Sequence, residues 1–138
     1  MRIDRFEDIE SWQLARRLAK SVYAAIATNS GLSKDWGLKD QIARASGSVM
    51  HNIAEGFDGG SNREFIRFLH YAKRSCTEVQ SELYMALDQN YVTQDCFQEL
   101  YDLAGQTRAR IKGFINYLNN HIDGPPSSRE NPESPTRN

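Results

Sequence analysis

Apolar residues recur along most of this chain at intervals of three and four, the spacing that gathers them on one face of an α-helix. Four such stretches stand out. The first runs from about Ile9 to Thr28, with Trp12, Ala15, Ala19, Val22 and Ile26 in register, and stops at Asn29-Ser30-Gly31. The second runs from about Gly37 to Gly56 and carries Leu38, Ile42, Ala45, Val49 and Ile53 on one side. Asp58-Gly59-Gly60 then breaks the chain. Ser61 stands three residues before Glu64, the spacing of a capping box, in which each side chain satisfies the other's free amide. A third helix is predicted from there, with Phe65, Phe68, Leu69, Ala72, Cys76, Val79, Leu83 and Leu87. After Gln89-Asn90-Tyr91-Val92, Thr93 is a suitable N-cap for a fourth, which carries Phe97, Leu100, Ala104, Thr107, Ile111, Phe114 and Leu118.

No alternating apolar pattern marks a strand, so the expected fold class is all-α. Amphipathic helices joined by brief connections imply an antiparallel up-down-up-down four-helix bundle. It is expected to occupy residues 1–122. The remainder, 123–138, is rich in Pro, Ser, Asn and Arg without periodicity, and reads as a disordered tail. The third and fourth helices should be roughly 28 residues, about 42 Å, while the first two reach only about 30 Å. The longer hairpin is therefore expected to project, leaving an overhang that a partner could cover.

The second helix has too many apolar faces. Opposite its core stripe lies a second small or apolar one, Ala43, Gly47, Met50 and Ala54, and a helix apolar on two sides is one buried on two sides. A glycine at its middle gives up about 1 kcal/mol relative to alanine, which close approach of another helix would offset. These four residues are the expected oligomer interface. A polar stripe, Gln41, Arg44, Ser48, Asn52 and Glu55, runs between the two faces. Ser75 and Glu78 of the third helix are possible partners for it. A catalytic use would make Glu55 the acid or base and Arg44 an anion holder, yet a structural hydrogen-bond network needs the same groups.

Charge is balanced overall, with 17 Lys and Arg against 18 Asp and Glu, so whole-molecule electrostatics steers the chain toward neither nucleic acid nor membrane. Basic surfaces must come from local arrangement. Arg63, Arg67, His70 and Arg74 fall in one row on the third helix, opposite Phe68, Ala72 and Val79. Arg16, Arg17 and Lys20 form a second cluster with no acid between Ser11 and Asn29, and Arg108, Arg110 and Lys112 a third without acids nearby in sequence. Repeated around a symmetric assembly, such patches would form a continuous basic surface, and each phosphate neutralised adds sequence-independent, salt-sensitive affinity. These ten residues are the expected RNA or DNA contacts, without base specificity.

Other chemistry is sparse. Cys76 and Cys96 fit neither a disulfide framework nor a metal motif. His51, His70 and His121 are too scattered for a metal site, and no P-loop, HExxH or GxGxxG occurs. No catalytic residue, cofactor or metal is expected. Tyr71, Tyr84, Tyr101 and Tyr117 could stack on bases but suit packing at bundle edges equally. The opening MRIDRFEDIESW is acidic and interrupted, unlike a secretory signal, and no segment approaches the ~20 apolar residues that span a bilayer. A cytoplasmic protein without membrane contact is expected.

The run Gly37-Leu38, Gln41, Arg44-Ala45, Ser48 and Asn52-Ile53-Ala54-Glu55-Gly56-Phe57 resembles the four-helix bundle proteins encoded in intervening sequences of bacterial 23S rRNA genes. Phe6, Ile9 and Trp12 fit the same pattern, as do Glu64-Phe65-Ile66-Arg67-Phe68-Leu69 and the later Ala72, Ser75, Glu78 and Leu83. The resemblance implies an up-down bundle assembled as a ring-shaped homopentamer. Some members carry the label of S23-type ribosomal proteins. A related branch, the accessory variability determinant proteins of diversity-generating retroelements, is similar in fold, binds nucleic acid and works with a reverse transcriptase. A protein partner of that kind is thus the alternative to nucleic acid. One departure is Met50, where family members commonly carry proline; any kink from that proline should be weaker or absent here.

Overall fold

The computed structural model describes residues 2–120. The stretch expected to be a disordered tail, 123–138, and His121 lie outside the described residues. Every regular element within them is helical: a 3-10 turn at Phe6–Asp8, then α1 (Glu10–Thr28), α2 (Ser30–Lys34), α3 (Trp36–Asp58), α4 (Asn62–Asp88) and α5 (Gln94–Asn119). The four long helices are the four predicted stretches. The short α2 was not expected, since Asn29-Ser30-Gly31 read only as a stop.

Helix starts follow side-chain chemistry that satisfies the free amides of the first turn. Asp35 Oδ1 accepts from the Leu38 amide at 3.2 Å, Ser61 Oγ from Glu64 at 3.1 Å, and Thr93 Oγ1 from Cys96 at 3.1 Å. The capping box at Ser61 is only half made. The Glu64 carboxylate turns to the Arg67 guanidinium instead, because an ion pair one turn on competes for the same oxygen.

The buried positions are largely those that periodicity chose. In α3 Leu38, Ile42, Ala45, Val49 and Ile53 are all buried, and in α5 the seven predicted positions are too. Phe68 departs from expectation: it is half-buried, lying beside Tyr71 with ring centroids 5.6 Å apart, while Ile66 is buried instead. Phe65 and Phe114 meet edge-on at 5.3 Å near one end of the bundle, and Tyr84 and Phe97 at 4.8 Å near the other.

These pairings run in opposite senses along consecutive helices. Gly56 packs on Phe65 and Phe68 while Ser48 bonds to Ser75 further along, so α3 and α4 are antiparallel. Phe65 meets Phe114 while Tyr84 meets Phe97, so α4 and α5 are antiparallel. α1 packs between α3 and α5, which closes the bundle.

The α4–α5 hairpin, at 27 and 26 residues, is longer than α1 at 19 and α3 at 23. The expected open overhang is nevertheless filled by the chain itself. Leu32 of α2 is buried, and the Tyr91 ring lies so close to Gly31 that a Cβ there would sit 2.5 Å from it. Tyr91 also donates its hydroxyl to Asp35 Oδ2 at 3.1 Å. Asp35 thus caps α3 and ties it to the hairpin turn. At the opposite end Ile3 and Ile9 are buried and Phe6 stacks edge-on against Trp12 at 5.1 Å.

Candidate assembly and nucleic-acid surfaces

α3 contributes two of the surfaces. Its polar stripe follows the α3–α4 boundary. Asn52 donates to the Ser48 carbonyl and hydroxyl at 2.8 and 2.9 Å, and Ser75 Oγ donates to Ser48 Oγ at 3.0 Å. Ser75 is therefore a partner of the stripe, as the pattern suggested. Arg44 does not join it: its Nε pairs with Asp40 at 3.1 Å on the solvent side. Arg44 and Glu55 line separate depressions, Arg44 with Gln41, Ser48, Glu78 and Glu82, and Glu55 with Asp4, Arg5 and Phe57. The two do not converge, which removes the geometry that joint catalysis would need.

The Arg44 depression, about 300 Å³, holds two carboxylates from α4, Glu78 and Glu82. Glu82 Oε1 is buried without a hydrogen-bond partner. Burial, and secondarily the charge of Glu78, push the Glu82 carboxyl up to about 7, because desolvation and a like charge both disfavour ionisation. Sequence reasoning missed this group, since a glutamate one turn after another reads as a solvated face.

The second surface is the seam of Ala43, Gly47, Met50 and Ala54. All four are half-buried in the single chain, with Met50 and Ala54 packed partly on the core. At Gly47 an added Cβ would meet only the His51 side chain, at 3.6 Å. No packing within the chain thus accounts for a mid-helix glycine here. α3 is unbroken through Met50.

Some of the basic residues are neutralised by neighbouring carboxylates. Arg67 is paired with Glu64 and bonds to Tyr71. Arg110, which has no acid near it in sequence, pairs with Glu10 of α1 at 2.6 Å. Arg16 lies over the Trp12 ring at 5.9 Å, with Arg17 and Lys20 exposed beside it, as are Arg63 and Lys112 elsewhere. His70 is exposed, but partial burial and the charges of Lys73 and Arg74 lower its pKa, so it adds little positive charge at neutral pH. Arg74 and Arg108, assigned by sequence to different rows, come together with Lys73 across the α4–α5 groove. Lys73 escaped the sequence reading because it lies off the Arg63–Arg74 row. Cys76 is buried and its thiol is pushed up to about 12 by desolvation, which makes it unreactive.

Among the described residues no helix is long and apolar enough to cross a membrane. The fold and its surfaces define a class, a small helical bundle whose distinctive chemistry lies on exposed helix faces. Within that class the chain belongs to the 23S rRNA-intervening sequence protein family, whose family model matches residues 7–113. A crystal structure of a protein with unknown function from the S23 ribosomal protein family of Bacteroides thetaiotaomicron VPI-5482 has the same fold. It aligns with a TM-score of 0.71 and 18% identity, over 76% of this chain and 97% of that one; at that identity the likeness speaks for the fold alone. No curated protein matches the chain.

Proposed function

We propose that this chain is a non-catalytic, homo-oligomeric bundle of the cytoplasm that binds RNA or DNA without base specificity through its basic faces. The observation that carries the reading is the exposed basic side of α4. Arg63 and Arg74 stand outward along it, and Arg108 of α5 extends it sideways. Phosphates would be met by this surface, and the half-covered seam at Gly47 supports its multiplication by assembly, a pentamer being what the family resemblance implies. Titrating generic single-stranded RNA at low and high salt tests it. Binding should weaken with a linear dependence of log affinity on log salt, about 0.7 per phosphate contacted. Arg63→Ala, Arg67→Ala and Arg74→Ala together should weaken binding and flatten that slope. Absence of binding at low salt overturns the reading.

A second reading is a protein-interaction scaffold, such as an accessory subunit of a reverse transcriptase, without nucleic-acid binding of its own. It draws on the exposed rings of Trp36, at 74%, and Tyr23, at 58%. It gains if the chain assembles but generic RNA does not bind.

A further inference from the structure

Helix wheels treat each helix alone, and so they separate cations that the α4–α5 packing unites. One groove, about 360 Å³, is lined by Lys73, Arg74, Thr77, Glu78 and Ser81 of α4 and by Arg108 of α5. Arg108 is half-buried and its Nε donates to Thr77 Oγ1 at 3.2 Å. That bond takes one of the five guanidinium donors and fixes the plane of the group. Neither Lys73, Arg74 nor Arg108 is in an ion pair among the described residues, whereas Arg44, Arg67 and Arg110 are. Burial, and after it the charges of Lys73 and Arg74, lower the pKa of His70 on the same helix.

We propose that this groove holds one phosphodiester of a nucleic-acid backbone, with Arg108 and Lys73 meeting the phosphoryl oxygens and Arg74 closing the lip. The proposal deepens the nucleic-acid reading and rests on it. Thr77 is a positioning residue: it orients Arg108 rather than touching the ligand. Ser81 also lines the groove. Glu78 limits the site. A carboxylate in the same groove disfavours the second negative charge of a free phosphate or monoester more than the single charge of a diester. The groove therefore selects backbone over inorganic phosphate.

Fluorescence anisotropy of a labelled single-stranded RNA with the full chain, across a salt series, tests this. Replacing Lys73 and Arg108 with alanine removes the contact to that one phosphate, so the slope should fall by about 0.7 and affinity at low salt by about tenfold. Thr77→Val leaves every charge in place and should weaken binding by a smaller factor at an unchanged slope. Glu78→Gln should tighten binding. Helical circular dichroism of each variant must match the wild type, and Thr77→Val keeps the inference testable if the double variant does not fold. Wild-type binding with an unchanged slope in the double variant, and loss instead on Arg63→Ala, overturns the groove while the broader reading stands. Weaker binding by Glu78→Gln overturns the role given to that carboxylate. Displacement of RNA by inorganic phosphate, beyond that by chloride of equal ionic strength, would make free phosphate the ligand and overturn the diester assignment. No wild-type binding at low salt removes the reading and the inference together.

Discussion

Replacing Glu82 by glutamine removes a carboxylate that the fold holds where water reaches only part of it. In the folded chain its pKa lies at about 7 against an ordinary 4.5, chiefly through burial and then through Glu78. Arg44, the one cation lining the same depression, is directed to Asp40 instead. Because the folded value is raised, the native chain holds the proton more tightly than the unfolded one. Stability is therefore highest below pH 4.5 as far as this group is concerned, and it falls as pH rises toward about 7. At 1.36 kcal/mol per pH unit, that interval would be worth about 3.4 kcal/mol for a fully desolvated group. Glu82 is half-buried, and solvent screening reduces the figure to about 1–2 kcal/mol. Urea unfolding of wild type and Glu82→Gln, followed by circular dichroism at about pH 5 and about pH 8, reads the difference. The variant should be more stable than wild type by about 1–2 kcal/mol at the higher pH, with the gap narrowing toward the lower one. Parallel pH profiles of the two proteins would refute the reasoning.

Two further perturbations address the packing that positions these surfaces. At Gly56 an added Cβ would lie 2.7 Å from the Phe68 Cβ and 3.0 Å from the Phe65 ring, so Gly56→Ala should destabilise by about 1–3 kcal/mol through overpacking, seen as a lower urea midpoint. Asp35→Ala removes both the α3 cap and the Tyr91 bond. It should lose about 1–2 kcal/mol, whereas Tyr91→Phe, which spares the cap, should lose less.

Much of the fold was legible because long helices announce themselves by period, and because Ser61 and Thr93 sit where free amides need acceptors. α2 was not. Five residues, among them a glycine, are too few to show a period, and its helix is held by Leu32 and by Tyr91, which lies 56 residues after Asp35. Ile3 and Phe6 were equally silent as core, since a segment before the first helix has no wheel to place them on. At the surfaces, each row of charges could be read within one helix but not the register between helices. That register joins Lys73 and Arg74 to Arg108, hands Arg110 to Glu10, and sets Glu82 beside α3. The seam on α3 was legible for the opposite reason: Ala43, Gly47, Met50 and Ala54 share one helix, so their alignment needs no tertiary knowledge.

Whether another copy of the chain closes that seam is read most directly by the solution mass of the wild-type protein. Light scattering at micromolar concentration should give a discrete multiple of the single-chain mass, and Gly47→Leu should lower it with helical content unchanged. A single-chain mass for the wild type would contradict the assembly and, with it, the pooling of basic faces into one surface.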